Sequence, residues 1–203
     1  MLVHQGGADI KSVVDMAKAE GGLVSAGRIT AANLPRRLLT DAVNRGELRK
    51  VSRGLYALPD VWEDDYLLAQ HRFARGIFSH ATALFLSDMT DMTPAALTMT
   101  FPHGYNTTSV RGAGIIARTV SPELLGLGRT TVKTPLGSEV AAYDVERTLC
   151  DLVRGQATPD VQVVNPAMRA YARSHARDVN RLMSYADALG VAAKVRNYME
   201  VLL

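Results

Sequence analysis

The sequence predicts an α+β chain with an amino-terminal winged helix-turn-helix domain, residues 1–59. A larger mixed domain follows, residues 60–203, with a small, mainly antiparallel sheet and carboxy-terminal helices. Three observations carry this. Residues 21–59 read as two short helices and a basic hairpin between glycine and proline punctuation; residues 97–143 hold extended runs separated by Gly and Pro; and from Asp144 onward the apolar spacing is helical.

Ile10, Val13, Val14 and Ala17 stand at i, i+3, i+4 and i+7, so the chain opens on an amphipathic helix that Gly21 and Gly22 end. Ser25 is placed to cap a short helix over 26–31, and Asn33 with Leu34 makes a tight turn. Pro35 suits the first position of the next helix and Gly46 a left-handed stop, giving a helix over 35–45. On that helix Leu38, Leu39, Ala42 and Val43 share one arc, while Arg36, Arg37, Thr40, Asp41, Asn44 and Arg45 share the other. Leu48–Val51 and Leu55–Leu58 flank Ser52-Arg53-Gly54 as a hairpin that carries Arg49, Lys50 and Arg53 on a wing.

A unit of this kind puts one helix in a DNA groove and a charged loop on the phosphates beside it. The charge distribution agrees. The chain is only +3 overall, yet residues 1–58 hold nine Lys/Arg against five acids. The expected contact set is Ser25, Arg28, Arg36, Arg37, Thr40, Asn44, Arg45, Arg49, Lys50 and Arg53.

With 203 residues and 47% apolar content the chain can bury more than one core. It shows no basic-then-apolar leader and no run of about 18 apolar residues, so a cytoplasmic protein is expected. Its one cysteine, Cys150, excludes an internal disulfide and a multi-cysteine zinc site, and reads as a small buried hydrophobe.

In the second domain the pattern predicts a linker helix over 61–75 containing Trp62, and a helix capped by Ser79. A strand over 97–101 is followed by a loop over 102–112. Strands over 115–120, 130–134 and 139–143 lead to a helix from the cap Asp144 to Arg154, and then to helices interrupted near 155–159, 175–178 and Gly190. Arg169, Arg173, Arg177 and Arg181 recur every four residues and would form a second basic face if their helix were continuous.

No constellation points to catalysis or to a metal or cofactor. The five histidines lack metal-ligand spacing, and neither G-x-S-x-G nor S-x-x-K occurs. Gly137-Ser138 followed by Asp144 and Glu146 mimics a nucleotidyltransferase pattern, but the spacing is short and both acids sit at a helix start, where capping explains them. Asp144, Arg147 and Asp151 share a helix face and read as an ion-pair ladder. Two other readings of the residues stay open: a winged-helix nuclease or nucleotidyltransferase, and a winged-helix protein-interaction module.

Four segments carry a family resemblance: GELRKVSRGLYALP (46–59), SHATALFLSDMTDMTP (79–94), YDVERTLCDLVR (143–154) and RLMSYADALGVAAKVRNYMEVLL (181–203). Together they resemble the AbiEi-type antitoxins of bacterial abortive-infection, type IV toxin–antitoxin systems. The resemblance implies a repressor that binds inverted repeats of double-stranded DNA at its own promoter and silences an operon encoding a nucleotidyltransferase-like toxin. It implies an antitoxic role for the second domain that does not require a tight complex with the toxin. By position it assigns DNA reading to Arg36, Arg37, Thr40 and Asn44 on the helix and to Arg49, Lys50 and Arg53 on the wing. It gives no catalytic role to the motif from Tyr143 to Asp151.

Overall fold

The computed structural model describes residues 5–61, 64–154 and 160–202. The chain divides into two compact units, Met1–Glu63 and Asp64–Leu203.

The first unit runs α1 (Gln5–Ala19), β1 (Leu23–Ser25), α2 (Ala26–Ala31), α3 (Arg37–Asn44), β2 (Arg49–Ser52) and β3 (Leu55–Ala57). The expected apolar stripe of α1 is its packing face: Ile10, Val13 and Ala17 join Ile29 of α2 and Leu38, Leu39 and Ala42 of α3 in one core. Ser25 Oγ accepts the backbone N–H of Arg28, the cap expected of it. Pro35 stands before α3 instead of opening it, because Leu38 N–H and Leu39 N–H close single turns onto the Pro35 and Arg36 carbonyls first.

The wing is a three-stranded antiparallel sheet in the order β1-β3-β2. Leu23 pairs with Ala57, and Lys50 pairs with Tyr56. Strand β1 was not anticipated: three residues between a helix end and a cap are too few to show an alternation. Gly54, at φ 78°, makes the turn between β2 and β3.

The second unit runs α4 (Asp65–Arg72), β4 (Ile77–Phe78), α5 (His80–Leu86), β5 (Thr98–Pro102), α6 (Thr108–Arg111), β6 (Ile116–Val120), α7 (Pro122–Leu125), β7 (Arg129–Lys133) and β8 (Glu139–Tyr143). It closes with α8 (Val145–Val153), α9 (Val161–Arg173), α10 (Val179–Ala188) and α11 (Ala192–Leu202). The α+β class holds, but the five-stranded sheet, in the order β6-β5-β4-β8-β7, is mixed and not mainly antiparallel. Its β4–β5 and β7–β8 pairs are antiparallel, while β4–β8 and β5–β6 are parallel. The two-residue central strand β4 joins the halves through Phe78, opposite Ala142.

Helix α4 is shorter than the expected linker helix because Asp64 caps it, accepting the Tyr66 and Leu67 N–H groups; Trp62 lies outside the described residues. Ser79 stands at the N-cap of α5 as expected, but its hydroxyl makes no capping bond. It is fully buried, and its hydroxyl accepts from Thr100 Oγ1 at 2.8 Å instead. The 102–112 segment contains the short helix α6 and is not all loop. Helices α8 to α11 pack with Leu84 of α5 around Leu149, Cys150, Val153, Met168, Leu182 and Val195. The break expected at 155–159 lies outside the described residues, while Gly190, at φ 71°, separates α10 from α11.

Candidate nucleic-acid interface

Helix α3 presents two chemically opposite faces. Leu38, Leu39 and Ala42 are buried to 3% exposure or less, and Arg37, Thr40, Asp41 and Asn44 are exposed. Burying the two leucines stabilises the unit by about 3–6 kcal/mol, so the apolar face fixes which side chains α3 turns outward. Arg45 is exposed just beyond its end.

The expected contact residues differ in how free they are. Ser25 spends its hydroxyl on the α2 cap. Arg28 directs Nε to the Glu20 carboxylate, an exposed pair. Arg36 Nε donates to Thr30 Oγ1 at 2.8 Å, which lays its side chain along the end of α2. Arg49 is half-buried and donates from Nη2 to the Val61 carbonyl at 2.8 Å. Its neighbour Lys50 is exposed, because successive strand residues point to opposite faces. Arg53 stands exposed at the wing turn. Among the described residues no ion pair engages Arg37, Arg45, Lys50 or Arg53. These four are the unengaged cations of the set.

Residues 12–59, from mid-α1 to the end of the wing, match the family model described as "Transcriptional regulator, AbiEi antitoxin". That segment is similar to the AbiEi antitoxin family of transcriptional regulators. No curated protein matches the chain. Among solved structures, its fold is similar to that of the RV2827C protein from Mycobacterium tuberculosis. The two share 16% sequence identity and a TM-score of 0.50, over 95% of this chain and 81% of that one. At that identity the likeness is one of fold.

The second unit breaks up the expected arginine face. Helix α9 ends at Arg173, so Arg169 and Arg173 belong to one helix, Arg177 to the connection and Arg181 to α10. Arg177 Nη1 donates to the Ser174 carbonyl, and Arg181 pairs with Asp178 and Glu146. No continuous stripe forms, because Ser174 leaves the helical conformation at ψ 133°.

The acids that mimic a metal site are committed to structure. Asp144 Oδ1 accepts the Arg147 N–H at 2.8 Å and its Oδ2 accepts from Tyr185 Oη at 3.3 Å, while burial raises its pKa. Glu146, 5% exposed, accepts from Tyr171 Oη and the Asp178 N–H. Among the described residues no three His, Cys, Asp or Glu side chains converge as metal ligands. Cys150 is fully buried with its thiol pushed up to about 12, chiefly by desolvation, an inert state for a sulfur nucleophile.

Sequence reading missed the extent of the Arg147 cluster. The side chain is fully buried, with Nε 3.1 Å from both Asp151 carboxylate oxygens. Nη1 donates to the Leu124 and Leu127 carbonyls at 2.7 Å, and the guanidinium lies 4.1 Å from the Tyr143 ring centroid. The i, i+4 spacing of Arg147 and Asp151 was visible in the sequence; nothing in it tied them to α7 and the turn after it.

Proposed function

We propose that this chain is a cytoplasmic repressor and antitoxin that autoregulates a toxin–antitoxin operon. In this reading α3 enters the major groove at inverted repeats upstream of its own gene, Lys50 and Arg53 hold the flanking phosphates, and the chain counteracts a nucleotidyltransferase-like toxin without catalysis of its own. The observation that carries the reading is the two-faced α3. A buried leucine face orients a polar face of Arg37, Thr40 and Asn44 beside a basic wing, within a segment that matches transcriptional regulators of the AbiEi antitoxin family.

The second unit is assigned the antitoxic role, with its acids serving the fold and no metal chemistry. A footprint of the purified protein on the DNA upstream of its gene, at two salt concentrations, tests the regulatory half. Paired, symmetric protection that weakens steeply with salt is the expected result; uniform weak protection without repeats counts against it. The antitoxic half is tested by rescue of growth when the adjacent reading frame is induced with and without this chain.

A further inference from the structure

The second unit holds a cleft of about 390 Å³ lined in part by His80, Arg118, Thr119, Arg147, Asp151 and Arg154. That volume falls within the range of small-molecule sites. Three guanidinium groups line it against one carboxylate, and that carboxylate is already engaged by Arg147 Nε through both oxygens. Asp151, the Leu124 and Leu127 carbonyls and the Tyr143 ring hold the Arg147 guanidinium in place, yet its buried Nη2 has no acceptor among the described residues. An unsatisfied buried donor on a charged group is costly, and an oxyanion is the partner that relieves it best.

The remaining titratable group of the lining adds no charge. His80 lies with its backbone in the left-handed region, φ 54°, and its ring bonded to Ser79 Oγ at 3.0 Å. Burial first, then Arg118 and Arg147, hold its pKa down to about 4. The ring is therefore neutral at physiological pH and does not add to the cationic excess. The three arginines less Asp151 leave a surplus of two positive charges, which matches the charge of about −1.5 to −2 on a phosphate monoester at neutral pH. A carboxylate or a backbone phosphodiester supplies half of that.

We propose that this cleft is a binding site for a small phosphate monoester, gripped by Arg118 and Arg154, with the buried Arg147 guanidinium adding its charge to the lining. Thr119 adds a hydroxyl to the wall.

Calorimetry on the full chain with inorganic phosphate, adenosine 5′-monophosphate and adenosine tests the site. Dissociation constants on the order of 1 mM or tighter are expected for the first two and no heat for adenosine. Arg118→Gln and Arg154→Gln each weaken both phosphates about tenfold, the loss of one charge-assisted hydrogen bond. Among the described residues neither side chain is hydrogen-bonded to the buried Arg147 cluster. A ring-proton titration by NMR gives a readout that a purely structural role would not move: saturating phosphate raises the His80 pKa, and Arg118→Gln abolishes the dependence on phosphate. Absence of phosphate binding at about 10 mM, well above the expected constant, overturns the proposal. So does binding unchanged in both variants. Displacement of the nucleotide by a duplex lacking terminal phosphates also overturns it, since the cleft would then read diester backbone.

Discussion

The arginines of the amino-terminal unit are chemically alike, and their neighbours decide what each can do. Arg37 is exposed and unpaired among the described residues, whereas Arg36 is already bonded to Thr30 and Arg49 to the Val61 carbonyl. On the proposed reading, Arg37→Ala costs operator binding about 1–3 kcal/mol and relaxes base preference at one position. Lys50→Ala weakens all duplexes alike and lowers the salt slope by about one. Arg49→Ala leaves the slope nearly intact and lowers the melting temperature instead. Binding isotherms at several salt concentrations separate the three; an equal slope change for Arg49 and Lys50 would sink the distinction.

His80 carries a different prediction, one of stability. Its folded pKa is depressed to about 4 by burial and by Arg118 and Arg147, from the ordinary histidine value of 6.5. Below pH 6.5 the unfolded chain takes up a proton that the folded chain refuses, so stability falls as pH drops from 6.5 to about 4, by about 3 kcal/mol in all. Asp144, whose pKa burial raises, works in the opposite sense over the acid range. The difference between the parent and His80→Asn therefore isolates the ring, Asn being the substitution that tolerates φ 54°. Urea denaturation at pH 7 and pH 5 checks it: the parent loses stability between the two by more than the variant does.

At the scale of elements, what was legible in the sequence was whatever is written locally. Apolar residues three and four apart announced α1 and α3, Ser25 and Asp144 announced the caps they make, and Gly54 announced the wing turn. What escaped depends on partners far along the chain. Strand β4 has two residues, and its parallel partner at Ala142 lies 64 positions away. The hydroxyl of Ser79 had the right residue type for a cap but was drawn to Thr100 on β5. Adjacent cations on one strand looked equivalent until the pleat sent Arg49 and Lys50 apart. The candidate DNA face was thus readable as a set of residues, and its ranking was not.

Element α3 also shows why its outward face depends on its inward one. Leu39 is 1% exposed within the core that α3 shares with α1 and α2. Leu39→Ala removes about 2–5 kcal/mol, a large share of what a unit of this size can hold. The variant is expected to melt its amino-terminal unit and to lose operator binding although no outward side chain has changed. Circular dichroism melts beside gel shifts check this; a stable variant that still binds would show that α3 is held by something other than its leucine face.

For the whole molecule, the division of labour follows from where the cores lie. Among the described residues, the α1–α3 core falls within Met1–Glu63, and the two cores around the mixed sheet and α8–α11 fall within Asp64–Leu203. The first holds the basic wing and the match to the regulator family, and the second holds the arginine-lined cleft. A small core of this size is marginal but sufficient for independent folding, so residues 1–63 made alone should give a cooperative melt. They should shift a half-site duplex with the same salt slope per protomer as the full chain, because every proposed phosphate contact is present. Residues 64–203 made alone should fold and leave the same duplex unshifted at any salt concentration. Should the larger fragment bind the duplex with a steep salt dependence, phosphate neutralisation would belong to the second unit as well, and the helix-and-wing assignment would have to share the DNA with it.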